Sequence, residues 1–314
     1  MFPPLLYIII VFLIVPCFLL YSLWKVSATS VWMWLYKITP LLLITMFFFF
    51  TANWSWVSYY LRYLFVGLVL VAVALSYRKI DAQKRKAKRV RIEKSSLSRS
   101  QSWMQRINQV FGYVLPLVLL FFIAKGFFYT DTAVELSFPL QGGRYYVGHG
   151  GNSRVINYHN GIEAQQYALD ILAVNQFGVR AQWIYPTELE KYVIYGAPVT
   201  SPCTGTVVDA VDGSVDLTPP RRDTQNLAGN HLVIDCNNIR VVLPHLKQGS
   251  LLVQSGDSVR DGQPLAQVGN SGNTSEPHLH IHAVAADSGG ILSGTGVPIL
   301  FDDRFLTQNS VVDQ

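Results

Sequence analysis

The sequence predicts a membrane-anchored chain in two parts. An N-terminal α-helical region of about four transmembrane spans is followed by an all-β antiparallel domain, a sandwich or barrel-like fold. Three observations predict this. First, apolar residues fill 50% of the 314 positions and charged residues only 14%, against about 25% charged in an ordinary soluble domain. Second, charge is segregated: residues 1–77 carry Lys25, Lys37 and Arg62 and no acid, residues 78–106 are net +9, and residues 107–314 are net −7. Third, from Val134 onward short β-branched runs alternate with Gly, Asn, Asp and Pro, the pattern of many short strands. A single soluble globule and a disordered chain are both excluded.

The first span is read at residues 5–24, LLYIIIVFLIVPCFLLYSLW. About 20 apolar residues suffice to cross a hydrocarbon layer of about 30 Å. The start MFPP lacks a positive region, so this segment reads as a span rather than a cleaved signal peptide. A second span is expected at 38–56, with Lys37 limiting it on the N-terminal side. The third is expected at 57–77, with Arg62 snorkelling from one end, and the fourth at 110–129. Trp32, Trp34, Trp54 and Trp56 fall at expected span ends, as an aromatic belt would.

The run RKIDAQKRKAKRVRIEK lies between spans three and four, and the positive-inside rule places it in the cytoplasm. In this position it reads as a topology determinant; nucleic acid is not an expected partner. The partition is then 1–77 for three transmembrane helices, 78–108 for a basic cytoplasmic loop, 109–130 for a fourth helix, and 131–314 for an exported β domain. The uncharged stretch 51–57 is expected on the outside too. The spans hold no acidic residue and, as charges, only Arg62 and Lys125, each toward one end of its span, which argues for an anchor rather than a translocation path. Cys203 and Cys236 both fall in the exported domain, where an oxidising compartment permits them to pair.

Within that domain strands are expected at 144–147, 153–158, 167–173, 205–211, 231–236, 239–244, 251–253, 264–268 and 278–284. Only residues 186–194 carry a helical period. The polar stretch 218–230 reads as a long loop. The segment EPHLHIH places His278, His280 and His282 at alternate positions, so one strand face carries all three imidazoles. Such crowding fits a metal or a polar cleft. Asp170 sits in the apolar run YALDI and needs a partner there: a metal, an Arg or backbone N–H groups each meet the need. His245, in LPHL, ends another strand.

Taken in order, YALDI, YGAPVTSPCTGTVV, GNHLVID, VVLPHL and SGDSVRDGQPLAQVGNSGNTSEPHLHIH resemble the lysostaphin-type, LytM-like zinc metallopeptidases over residues 140–285. The resemblance implies an antiparallel β core and roles for individual residues. Asp170 and His280 match metal-binding positions. His245 and His278 match two histidines that flank the reacting water and the oxyanion. His282 reads as cleft lining. The family's first ligand is a His four residues before the Asp; here that position is Gln166, and Gln is a poor zinc ligand. His159 is the expected replacement, brought back by a turn over Asn160 and Gly161; His149 is a second candidate.

The expected cofactor is one Zn²⁺ held by His159, Asp170 and His280. No HExxH motif supplies a Glu base, so proton transfer falls to His245 and His278. The resemblance implies hydrolysis of peptide bonds in peptidoglycan stem peptides or cross-links, by a multi-pass protein of the bacterial cytoplasmic (inner) membrane with its C-terminal domain on the periplasmic or extracellular side. The competing reading, motivated by Gln166, is a metal-free relative that regulates or scaffolds another cell-wall hydrolase. The loop GNSGNT, at 269–274, leads into the histidine strand and suits either close backbone approach to substrate or an ordinary turn.

Overall fold

The structure is a computed structural model that describes residues 4–90, 99–285 and 293–314. The end of the basic run, at 91–98, lies outside the described residues. The chain forms two compact units. One comprises Met1–Ala52 with Tyr60–Ile123, the other Asn53–Tyr59 with Ala124–Gln314.

The first unit is helical. It contains α1 (Pro4–Ile8), a π-helical turn (Ile9–Ile14), α2 (Val15–Lys25), α3 (Val31–Thr51), α4 (Leu61–Arg78), α5 (Ile80–Val90) and α6 (Arg99–Gly126). Among the described residues three helical stretches are long and apolar enough to cross a membrane: Leu5–Lys25, Val31–Thr51 and Leu61–Arg85. The apolar stretch Val110–Gly126 is shorter.

The helix expected as the second span starts earlier than the sequence suggests. Ser30 Oγ accepts from Met33 N at 3.2 Å and caps α3 there. Lys37 does not limit the helix, because its ammonium reaches back to Ser27 O at 2.6 Å. Pro40 lies within the same helix. Arg62 does not snorkel outward; it is 7% exposed, with its guanidinium 4.3 Å from the Phe49 ring centroid.

The segment between α3 and α4 is the other departure. Trp54 and Trp56 are not belt residues, since Asn53–Tyr59 packs into the second unit. Trp54 is 3% exposed, and its N–H donates to Tyr146 Oη at 3.1 Å. Trp56 stacks on Tyr185 at 5.5 Å between centroids and lies 4.0 Å from the Arg180 guanidinium. Large aromatic area and a cation partner favour burial there.

Past Gly126 the described residues form strands and 3-10 turns only. The strands are β1 (Val134–Glu135), β2 (Arg144–His149), β3 (Leu169–Val174), β4 (Pro198–Thr200), β5 (Gly205–Val211), β6 (Asn230–Asp235) and β7 (Ile239–Leu246). Then come β8 (Ser258–Val259), β9 (Pro264–Gln267), β10 (Leu279–Ala285), β11 (Gly296–Val297), β12 (Ile299–Phe301), β13 (Arg304–Phe305) and β14 (Val311–Asp313). One nine-stranded sheet runs β14-β2-β3-β10-β7-β6-β5-β8, with β11 beside β10. Its pairings are antiparallel. Two small sheets, β1-β12-β13 and β4-β9, complete the domain.

Two expected strands do not form. Residues 153–158 turn instead, because Asn157 is used as a cap for the following 3-10 turn. Residues 251–253 form no strand; Leu252 N donates to Leu265 O at 2.8 Å. The helical period at 186–194 yields only the 3-10 turn Leu189–Lys191.

Alternation places the core. Leu279, Ile281 and Ala283 join Leu169, Ile171, Leu232, Ile234, Val241 and Leu243 on one side of the sheet. The intervening residues of β10 therefore face the other way. Cys203 and Cys236 form a disulfide with Cα atoms 6.1 Å apart, tying the end of β6 to the segment before β5.

Candidate metal centre

The sheet register sets the site. His280 of β10 is paired with Asp170 of β3, and His149 of β2 is paired with the same Asp170 after an irregularity at Val147/His149. Asp170 is 5% exposed. Its Oδ1 lies 2.9 Å from His280 Nδ1, 3.0 Å from His159 Nε2 and 3.4 Å from His278 Nε2. Its Oδ2 lies 3.0 Å from His159 Nε2 and accepts from the Tyr158 hydroxyl at 3.3 Å.

His159 arrives by a local device. It lies in the 3-10 turn Tyr158–Gly161, capped by Asn157, whose Oδ1 accepts from His159 N at 3.2 Å. Asn157 is fully buried, and its Nδ2 donates to Gly151 O at 2.9 Å and Ala168 O at 3.1 Å. The turn is thus fastened to the residues just before β3. Gln165 Oε1 lies 3.0 Å from His159 Nδ1. If that nitrogen carries the proton, Nε2 is left bare toward Asp170. Gln166 goes elsewhere: its Nε2 donates to Asn152 Oδ1 at 3.1 Å. His149 packs edge-on to Tyr158 at 4.7 Å between centroids and makes no ligand group with Asp170 and His280 among the described residues.

Two trios have ligand atoms within 4.8 Å of one another: His159, Asp170, His280 and His245, His278, His280. The first fits zinc better. It supplies one carboxylate and two imidazoles, all buried. The two imidazole nitrogens lie 2.9 and 3.0 Å from Asp170 Oδ1, near the ~3.3 Å edge of a tetrahedron with bonds of about 2.0–2.1 Å.

In the second trio, His245 and His278 each face a backbone carbonyl through Nδ1: Ser271 O at 2.9 Å and Glu276 O at 2.8 Å. Both then present Nε2 to the cluster, with ring centroids 5.4 Å apart. His245 holds a left-handed backbone, φ 62°, which costs about 1–3 kcal/mol for a non-glycine residue and is found where a side chain must be aimed. His280 Nε2 lies 3.0 Å from His282 Nδ1, and His282 is 1% exposed.

Electrostatics follow burial. Burial pushes the His245 imidazole down to about 3, with His278 adding to the effect. His280 and His149 are also lowered, first by burial. For His278 burial acts downward, but the Asp170 carboxylate and the Glu276 carbonyl outweigh it, and its pKa is raised. Asp170 is held well below the usual carboxylate range; burial opposes this, and His159 and His278 prevail. Burial and Asp170 raise the Tyr158 phenol.

The segment before β10 is pinned. Glu276 pairs with Arg180 at 2.6 Å, and the Arg180 side chain is 1% exposed. Tyr185 Oη donates to Ser275 O at 2.6 Å, and Thr274 Oγ1 to Glu276 O at 2.9 Å. In the 269–274 loop the glycines approach the protein's own backbone. A Cβ at Gly269 would meet Lys247 N at 2.4 Å, and one at Gly272 would meet Gly229 N at 2.5 Å. The loop therefore serves to dock against its neighbours and to offer Ser271 O to His245.

Two clefts flank the cluster. One, of about 170 Å³, is lined by Ile162, Leu227, Val242 and Pro244 together with His245 and His282. The other, of about 320 Å³, is lined by Asn53, His149, Arg222, Ser275, Glu276 and His278. Tyr158 and Asn273 line both. His231 lies apart, bonded to Gly229 O at 2.8 Å and Asp209 at 3.3 Å. Sequence reasoning missed Tyr158, Gln165 and Arg180. A polar residue beside each ligand was the only available signal for the first two, and Arg180 carried none.

Residues 191–289 match the family model described as Peptidase family M23. The match includes His245, His278, His280 and His282 and stops short of His159 and Asp170. Among solved structures, the chain is similar to a zinc containing peptidase from Vibrio cholerae, at 31% identity over 31% of this chain and 25% of that one, TM-score 0.24. It is similar to lysostaphin at 20% identity over 41% and 40%, TM-score 0.27. It is similar to the deep-sea M23 metalloprotease pseudoalterin at 13% identity over 58% and 100%, TM-score 0.33. The chain thus spans a quarter of the length of the first of these and two fifths of the second. The C-terminal part of this chain carries a Peptidase family M23 domain.

Proposed function

We propose that the chain is a membrane-anchored zinc metalloendopeptidase that hydrolyses peptide bonds in peptidoglycan stem peptides or cross-links. The observation that carries the reading is the placement of His159 Nε2 3.0 Å from Asp170, with His280 Nδ1 at 2.9 Å. His159 thereby supplies the third donor that Gln166 does not. Zinc held by His159, Asp170 and His280 would supply Lewis acidity, activating water and polarising the scissile carbonyl.

The chain's own groups do the rest. His245 and His278 present Nε2 toward the cluster, their Nδ1 atoms facing Ser271 O and Glu276 O. One accepts the proton of the attacking water, and the other donates to the oxyanion and the leaving amine. Tyr158 adds a hydroxyl at the same edge, bonded to Asp170. The two clefts accommodate the chain on either side of the bond.

For the whole chain the reading is an integral anchor of the bacterial cytoplasmic membrane. Its partition is 1–77, 78–108, 109–130 and 131–314, with α6 as a fourth span and the β domain outside. Packing of Asn53–Tyr59 into the same unit as Ala124–Gln314 supports a shared compartment for both.

Metal analysis and murein digestion test the proposal together. The purified chain is expected to hold one zinc and to release peptides from murein, and His278→Ala to release none while keeping its metal. Substoichiometric zinc after gentle purification, or equal product profiles from both proteins, would overturn it.

A further inference from the structure

Glu276, Asp170 and Asp223, the carboxylates near the polar cleft, each have a partner. Glu276 is bound by the buried Arg180 at 2.6 Å. Asp170 is committed to the histidine cluster. Asp223 Oδ1 accepts from Gln225 N at 2.9 Å and Asn226 N at 3.1 Å. Arg222 is exposed, lines the cleft, and enters no ion pair among the described residues. Its charge nevertheless reaches the phenols of Tyr158 and Tyr185.

The backbone that carries Arg222 is held in place. Arg221 N donates to Thr218 O at 2.9 Å, and Asp223 N donates to Gly272 O at 2.9 Å. Asn273 N donates to Leu227 O at 3.0 Å, which locks the 218–230 loop to the loop leading into β10. Asn53, Ser275 and Asn273 add polar side chains to the same wall. The opposite cleft offers Ile162, Leu227, Val242 and Pro244 and no cation. The two sides of the cluster therefore differ in kind.

We propose that the cleft beside His278 is a carboxylate-binding subsite in which Arg222 pairs with an acidic group of the substrate peptide adjacent to the scissile bond. A guanidinium matches a carboxylate with two parallel hydrogen bonds, which fixes orientation as well as charge. The inference rests on the peptidase reading above and adds the substrate class: a peptide that is acidic on one side of the bond and apolar on the other.

The test uses the zinc-loaded full chain in detergent and soluble cross-linked muropeptides, either native or with their carboxylates converted to methylamides. The expected result is a drop in kcat/KM of about tenfold or more on amidation, mostly in KM. In Arg222→Gln the native-to-amidated ratio should collapse toward one, and Arg222→Lys should restore part of it. Equal cleavage of both substrates by the wild type, or an unchanged ratio in Arg222→Gln, overturns the subsite and leaves the peptidase reading standing. Absence of zinc-dependent cleavage of either substrate refutes the peptidase reading instead. In that event anisotropy of labelled muropeptides still decides the carboxylate claim. A loss of native binding in Arg222→Gln supports it, and equal binding of native and amidated probes overturns it.

Discussion

The metal reading turns on His159. Its imidazole is directed by Asn157 and Gln165, and neither contact involves Gln166. His159→Ala is therefore expected to lose zinc as completely as Asp170→Ala, and Gln166→Ala to keep it, as read by metal content per chain. His282 bonds the far nitrogen of His280, and such partners of ligands are worth about 10–100-fold in metal affinity. His282→Leu should weaken zinc by that order in chelator competition, with His282→Gln, which retains an acceptor, falling between.

His245 gives a pH prediction for metal-free protein. Its folded pKa is lowered from 6.5 to about 3 by burial, so below 6.5 the unfolded chain takes up the proton first. Its contribution to stability is full above pH 6.5 and is lost as pH falls toward 3. His280 and His149 act in the same direction, and His278, whose pKa is raised, acts in the opposite one. Thermal melts between pH 7 and 4 should show a smaller fall in Tm for His245→Gln than for wild type.

At the scale of elements, the turn before β10 owes its shape to the Arg180–Glu276 pair. Removing one partner of a buried pair leaves an uncompensated charge, at a cost of about 3–5 kcal/mol. Glu276→Ala should lose stability of that order in urea unfolding. Lys191→Ala breaks a pair whose side chains are 33% and 54% exposed and should change stability by about 1 kcal/mol or less.

The strand that carries the histidines was legible in the sequence because period-two alternation fixes a face: Leu279 and Ile281 inward, His278, His280 and His282 together on the other side. The strand with Asp170 was legible for the same reason, as an acid in an apolar run. Residues 153–158 were not, because Val155 and Ile156 look β-like and only the burial of Asn157 turns the chain. Nor was the role of Asn53–Tyr59 legible. Its two tryptophans suit an interface belt equally well, and only long-range partners such as Tyr146 and Tyr185 distinguish the two.

At the scale of the whole molecule, the proposed topology makes a direct prediction. The basic stretch after α4 and the β domain after α6 should lie on opposite sides of the membrane. In a Cys17→Ser background, a cysteine at Leu252, 68% exposed, should react with an impermeant thiol reagent in intact cells, and one at Lys84 should react only after lysis. The opposite pattern would invert the topology. The family match covers His245, His278, His280 and His282 and leaves His159 and Asp170 to geometry. The place where zinc binds therefore decides the assignment. Anomalous diffraction at the zinc edge from crystals of the zinc-loaded chain measures this directly. A single peak about 2.0–2.2 Å from His159 Nε2, Asp170 and His280 Nδ1 is the expected result. A peak between His245, His278 and His280, or none in stoichiometrically zinc-treated crystals, would contradict it.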